Sequence, residues 1–131
     1  MARVVVLDAN ALIALCRDSD AHHSWALDMF RITQGSDLMV SAMTYSEFLI
    51  RPHREGVLEE LLRDTKQLGL EITPVDQHNA FALTEVRAKT NLRMPGAVVL
   101  QTALEHSGAI ATTDKRLANA ARELKIPVYQ P

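Results

Sequence analysis

The sequence predicts an α/β sandwich, a central parallel sheet of four to five strands flanked by helices. Three observations predict it. Short apolar runs alternate along the chain with segments whose apolar residues recur at helical spacing, and strands separated by helices pair in parallel. The first run, VVVL at residues 4–7, is β-branched and continuous, as a strand covered on both faces must be. The chain has 131 residues, the size of one domain with one core, and residues 1–131 show no internal repeat, low-complexity tract or linker.

The elements follow in order. After VVVL, residues 9–16 put Ala9, Leu12, Ile13 and Cys16 on one helical face. HHSWALDMFRIT is a second helix, capped by Asp20. LMVSAM (38–43) is the second strand. TYSE then opens a helix as a capping box, with Thr44 as N-cap and Glu47 at the third helical position. Another helix covers 57–68, with Val57, Leu58, Leu61, Leu62 and Leu68 facing inward. LEITPV (70–75) is the third strand, and Pro74 puts that end at an edge or a bulge. Helices over 78–89 and 95–106 come next, then AIATTD (109–114) as the fourth strand. The last helix repeats Leu117, Ala120, Ala121 and Leu124 at i, i+3, i+4 and i+7, and PVYQ (127–130) adds a short closing strand.

Composition narrows the functional classes. Apolar residues make up 47% and charged residues 23%, the balance of a soluble globular chain. A formal charge of −2 excludes a general electrostatic grip on nucleic acid, so any such contact has to come from a local patch. The single cysteine, Cys16, excludes an internal disulfide and a Cys-based zinc site and fits a reducing, cytoplasmic setting. The N-terminal apolar run is interrupted by Asp8 and Asn10 and is followed by no small-residue cleavage site, so it does not read as a signal peptide. No stretch reaches the roughly 20 apolar residues of a membrane span.

Open α/β sheets collect their functional groups at the carboxyl ends of the strands. VVVLDAN delivers Asp8 to that edge and AIATTD delivers Asp114. Aspartate is also a common helix N-cap, and either residue alone has that alternative reading. Glu47, four residues after the second strand, belongs to the same edge, with the capping box as its competing role. Converging carboxylates repel one another and therefore hold a hard cation, and oxygen donors without Cys or His suit Mg²⁺ or Mn²⁺ rather than zinc. Such an ion lowers the pKa of a bound water and neutralises charge on a phosphodiester. The residues thus point to metal-assisted phosphoryl chemistry.

Four segments, VVVLDANALIAL, SAMTYSEFLIRP, LRMPGAVVLQTAL and IATTDKRL, in this order over nearly the whole chain, resemble the PIN-domain ribonucleases, most closely the VapC toxins of bacterial toxin–antitoxin pairs. The resemblance implies a single PIN-like three-layer domain, an acidic pocket for Mg²⁺ or Mn²⁺, and endoribonuclease activity on structured or single-stranded RNA. Asp8 matches the first family acid, Glu47 the second, acting through water, and Asp114 the fourth. Thr112 matches a hydroxyl residue that accompanies the fourth acid, and Asn10 a polar position beside the first. The resemblance also implies a homodimer, with the apolar SWALDMF helix as part of its face. It further implies a cognate antitoxin of the VapB type, whose basic side chain would reach Asp8, Glu47 and Asp114.

One position departs from this pattern. In NLRMPGAVVL, Pro95 suits the first helical position. Gly96 then falls where the helix dipole favours a carboxylate, and glycine costs about 0.5–1 kcal/mol relative to alanine. The third family acid follows RMP, so Gly96 stands in place of a metal-binding aspartate, and a weakened metal site is expected whether the change is natural, selected during cloning or made by design.

Other residues receive plainer readings. His22 and His23, adjacent at a helix start, are read as solvated or helix-facing rather than as metal or acid–base groups, and Trp25, Met29 and Phe30 as core or dimer contact. Arg51, Arg54 and Lys115 are taken as solvated surface, and Asp76 as the cap of the helix that follows it. Arg93 and Arg116, beside the acidic elements, are the better candidates for RNA phosphates. Two other functions remain open: a catalytically silent PIN module that binds RNA or a protein, and a phosphoacceptor receiver domain. A receiver closes its first strand with an acidic pair and its third with the acceptor aspartate. Here those places hold LDAN and TPVD, where Pro74 fits poorly.

Overall fold

The computed structural model describes residues 2–131. Five strands, β1 (Val4–Leu7), β2 (Asp37–Ser41), β3 (Glu71–Thr73), β4 (Ala109–Ala111) and β5 (Val128–Tyr129), form one parallel sheet in the order β3-β2-β1-β4-β5. Around it lie α1 (Ala9–Cys16), α2 (His23–Ile32), α3 (Ala42–Glu55), α4 (Leu58–Gln67), α5 (Gln77–Thr90), α6 (Met94–His106) and α7 (Lys115–Glu123).

The alternation of side chains along the strands splits the core into two layers. Val5, Leu7, Leu38 and Ala111 pack with Leu12 of α1, Met29 of α2 and Phe48 of α3 on one face. Val6, Met39 and Ile110 pack with α5, α6 and α7 on the other, through Val86, Val98, Leu100, Leu117 and Ala121. Helix, sheet and helix thus make the three expected layers. β1 sits at the centre because all its residues are apolar and both its faces are covered. β3 takes an edge, where the residue after its last, Pro74, withholds no ladder hydrogen bond from a neighbour. Gly108 joins α6 to β4 where a Cβ would stand 3.0 Å from the Val4 carbonyl oxygen, so its lack of a side chain lets β4 close on β1.

Several local expectations are corrected. α3 starts earlier than predicted: Ser41 is its N-cap, donating its hydroxyl to Thr44 Oγ1 at 3.0 Å and accepting from Thr44 N–H at 3.1 Å. Thr44 is therefore a buried first-turn residue, and Glu47 lies in the second turn with no part in a capping box. Asp20 caps the turn before α2 rather than the helix, accepting from His22 N–H, while His22 itself occupies the N-cap. The 9–16 helix is buried through Ala11, Leu12, Ala14 and Leu15, because it is covered on more than the one predicted face. α4 buries less than predicted: Leu61 and Leu68 pack half-buried against the core clusters, but Thr65 is its one buried residue, and Val57 and Leu62 are exposed. Met94, not Pro95, opens α6. β2, β3 and β4 end two or three residues earlier than drawn, β2 and β4 because Ser41 and Asp114 cap the helices that follow. Met29 is buried within a core cluster, and Trp25, Leu27 and Phe30 pack half-buried against the clusters, as the core reading of SWALDMF expects. The expected cap on α5 is present, where Asp76 and Asn79 form a capping box.

Among the described residues no helix is long and apolar enough to cross a membrane, and no buried side-chain nitrogen or oxygen lacks a partner.

Candidate active site

The sheet topology decides which side chains meet. β1 and β4 are neighbours, and the Asp8 N–H extends their ladder by donating to the Ala111 carbonyl at 3.0 Å. That step sets Asp8 beside Thr112. The Thr112 hydroxyl, fully buried, donates to Asp8 Oδ2 at 2.7 Å and accepts from the Asp114 N–H at 2.9 Å. One hydroxyl thus ties the carboxyl end of β1 to the turn that follows β4. The other Asp8 oxygen, Oδ1, accepts from Ala9 N–H at 2.8 Å. Asp8 and Asp114 are also the N-caps of α1 and α7, with Asp114 Oδ1 accepting from Arg116 N–H and Leu117 N–H. Both aspartates are thus helix caps, and Thr112 joins the Asp8 carboxylate to the Asp114 backbone.

Burial pushes the Asp8 carboxyl above the usual carboxylate range, helped by the nearby Asp114 charge and opposed by the Thr112 and Ala9 hydrogen bonds. The Glu47 carboxyl is also raised, by partial burial first and by the Asp8 charge second, although much of its residue surface meets solvent. Asp8 thus senses the Asp114 charge, and Glu47 senses the Asp8 charge, so the three carboxylates share one electrostatic neighbourhood. Asn10, on the first turn of α1, is exposed nearby in sequence.

Gly96 sits in the first turn of α6, whose far end leads through Ser107 and Gly108 into β4. The N-terminal turn of α6 accordingly lies toward the carboxyl edge of the sheet, as do those of α1, α3 and α7. Its φ is not positive, and a Cβ there would meet only Leu92 side-chain atoms at 3.8–4.0 Å, an ordinary contact. Neither backbone conformation nor space requires glycine.

The donor set suits a hard divalent cation in kind. All three groups are carboxylates, and a cation is what would relieve the disfavoured charge on Asp8. In number it falls short: among the described residues no three His, Cys, Asp or Glu side chains gather closely enough to hold a metal ion. Arg93, the N-cap of α6, and Arg116, in the first turn of α7, are both exposed at the same edge. His23 donates from Nδ1 to the Ala14 carbonyl at 2.7 Å, which ties α2 to α1, and His22 meets the Trp25 ring edge-on. Asp76 caps α5 beside an edge strand, which leaves the receiver pattern without its acceptor.

Sequence spacing gave no sign of Arg17. It reaches from the end of α1 to Glu55 at 2.9 Å, and the same Glu55 oxygen accepts from Arg51 Nε at 2.6 Å. The carboxylates themselves lie on an open edge. Cavities of about 450 Å³ (Leu15, Cys16, Phe30 and Asp64 among its walls) and about 400 Å³ (Asn79, Glu85 and Gln101 among its walls) lie elsewhere. An exposed edge of this kind suits a polymer more than an enclosed small molecule.

The chain matches the PIN domain family over residues 5–123. No curated protein sequence matches it. Among solved structures it is similar to FitAcB from Neisseria gonorrhoeae, with a TM-score of 0.71 and 23% identity, covering 95% of this chain and 96% of that chain. It is similar to a toxin–antitoxin complex from Klebsiella pneumoniae, with a TM-score of 0.74 and 21% identity over 87% of this chain and 90% of that one. A third likeness is to VapC20 from Mycobacterium tuberculosis, a sarcin–ricin loop cleaving toxin, with a TM-score of 0.72 and 13% identity over 88% and 94%. At these identities the solved structures bear on the fold.

Proposed function

On the premise that this chain belongs to the PIN domain family, we propose that it is a metal-dependent endoribonuclease toxin of the VapC type, attenuated by glycine at position 96. The observation that carries this reading is the Asp8–Thr112–Asp114 linkage, with Glu47 inside the same electrostatic neighbourhood.

Asp8 and Asp114 would hold Mg²⁺ or Mn²⁺, with Glu47 engaged through water. When bound, the ion supplies a water of lowered pKa and neutralises charge on the phosphodiester. Thr112 is a positioning residue: its donated hydrogen bond fixes the Asp8 carboxylate, and its accepted one fixes the Asp114 backbone. Glu47 would bind the ion through that water or help orient the nucleophile. Arg93 and Arg116 supply exposed cations at the same edge for the backbone of RNA.

Partners follow from the same charges. A basic side chain of a VapB-type antitoxin is drawn to Asp8, Glu47 and Asp114, and the Klebsiella pneumoniae neighbour is itself a toxin–antitoxin complex. The active form is a homodimer in the cytoplasm. The half-buried apolar side chains of SWALDMF would form part of its face, with exposed ones such as Phe81 and Leu104 open to further contact.

A second reading, a silent module that binds RNA or a protein without cutting, is favoured by Gly96 and by the absence of three gathered ligands among the described residues. One experiment separates the two. The chain as given and Gly96→Asp are incubated with structured and single-stranded RNA in Mn²⁺, with and without EDTA. The ribonuclease reading expects little or no cutting by the former and EDTA-sensitive cutting by the latter. It also expects Mn²⁺ affinity to improve by roughly tenfold or more, about 1.4 kcal/mol per decade. Equal Mn²⁺ affinity with no cutting by either chain leaves the silent module.

A further inference from the structure

With a net charge of −2, the chain needs a local cationic site to hold a nucleic acid, and a pair of arginines sharing one glutamate stands at the far end of the two helices that carry the candidate acids. α1 and α3 follow the adjacent parallel strands β1 and β2 and pack on the same face of the sheet, so they run side by side in one direction. Asp8 and Glu47 belong to their beginnings. At their ends Arg17 and Arg51 both donate to a single atom, Glu55 Oε1, at 2.9 and 2.6 Å. Two guanidinium groups bound to one oxygen are held within the width of one tetrahedral anion. The trio keeps a net positive charge, and Arg54 is exposed on the adjacent turn.

We propose that the Arg17–Arg51 pair is a phosphate-binding subsite for a single nucleic-acid strand running along α1 and α3 from the Asp8–Glu47 end. This rests on the ribonuclease reading, because the strand is placed by the acids at its other end. Glu47, Arg51 and Glu55 stand at i, i+4 and i+8, which puts them in one row on α3. The path from Asp8 to Arg17 is about 14 Å along the helix axis. That is shorter than the grooves that track roughly 4–16 nucleotides of single strand. Arginine forks match phosphate in pairs of parallel hydrogen bonds. Glu55 holds both forks in place in the absence of a phosphate and competes with the anion that would replace it. An acidic protein segment is the alternative occupant. The strand is favoured because the same row of α3 begins at the phosphodiester chemistry.

The test is fluorescence anisotropy with a labelled 12-nucleotide single-stranded RNA of mixed sequence, in EDTA so that nothing is cut, over a salt series. Arg51→Gln should weaken binding several-fold and lower the salt slope by about 0.7–1, the share of one phosphate contact. Glu55→Gln should tighten binding, since it frees both arginines. Neither change should unfold the protein, because exposed ion pairs contribute little to stability, and thermal melts check this. Wild-type binding left unchanged by both substitutions overturns the subsite alone. No RNA binding by the wild-type chain overturns the ribonuclease reading with it. A polyglutamate peptide that binds as tightly as the RNA and responds equally to both substitutions also overturns the subsite, since it would then read charge without phosphate.

Discussion

Replacing Asp8 by asparagine tests whether this carboxylate is held for chemistry against the interest of the fold. Asp8 has one hydrogen bond on each oxygen, from Ala9 N–H at 2.8 Å and from the buried Thr112 hydroxyl at 2.7 Å. Asparagine caps a helix as well as aspartate does, so the Ala9 bond survives. The Thr112 bond is weakened, a loss of about 1 kcal/mol. Against it stands the removal of a charge that burial and Asp114 both disfavour, shown by the raised pKa. A carboxyl raised in the folded state binds its proton more tightly there than in the unfolded chain. Its favourable contribution is complete below the ordinary value of 3.8 and is lost as the pH climbs through the raised value. The wild-type chain should therefore lose stability relative to Asp8→Asn as the pH rises from about 3.5 to 7.5. At the upper end Asp8→Asn should be neutral or more stable by up to about 1 kcal/mol, roughly 4 °C in Tm for a chain of this size. Asp8→Ala, which gives up the cap and both bonds, should be destabilised by about 1–2 kcal/mol. The assay is urea unfolding in EDTA at several pH values. A difference between wild type and Asp8→Asn that stays flat with pH, or grows in favour of the wild type toward neutrality, refutes the reasoning. Asp8 is then a structural cap.

Gly96→Ala should stabilise the protein by about 0.5–1 kcal/mol in thermal melts, because the glycine is helical and its Cβ would make only ordinary contact with Leu92. An unchanged or lower Tm would mean that the first turn of α6 needs glycine after all. Gly96→Asp should show a larger Tm rise on adding Mn²⁺ than Gly96→Ala does, and an equal rise argues against a ligand at this position. Thr112→Val should cost about 1–3 kcal/mol by stranding the part-buried Asp114 N–H and one Asp8 oxygen. It should also raise the Asp8 pKa further, which NMR titration of the carboxyl carbon would detect. Burial and Asp64 push the Cys16 thiol up to about 11, so iodoacetamide at pH 8 should label the native chain far more slowly than the urea-unfolded one. Equal rates would show Cys16 to be open to solvent as thiolate.

The layered fold and the strand count were legible because VVVL and AIA are continuous apolar runs and the intervening helices are periodic. Boundaries were less so, for a physical reason. SAMTYSE contains two overlapping serine/threonine cap patterns, and only packing chooses Ser41 over Thr44. That choice matters functionally, since it frees the Glu47 carboxylate from a capping box. α4 looked like a core helix from its leucines, yet periodicity reports an apolar stripe without saying whether a neighbour covers it. Asp8, Thr112 and Asp114 could be named from their motifs, while the hydroxyl bridge between them could not, because it depends on β1 and β4 becoming neighbours. Arg17 was invisible for the same reason: its partner on α3 lies 38 positions away.

The Asp8–Thr112 bond spans 104 positions of the chain, and this sets a clock during synthesis. β1 leaves the ribosome among the first segments, but the strand that completes its other side is made near the end. At about 5–20 residues per second, β1 waits roughly 5–20 s for β4. Through that interval Asp8 has no Thr112 and no Asp114 beside it. A nascent chain therefore passes most of its birth without its candidate site, and the assembled edge is among the last things translation delivers.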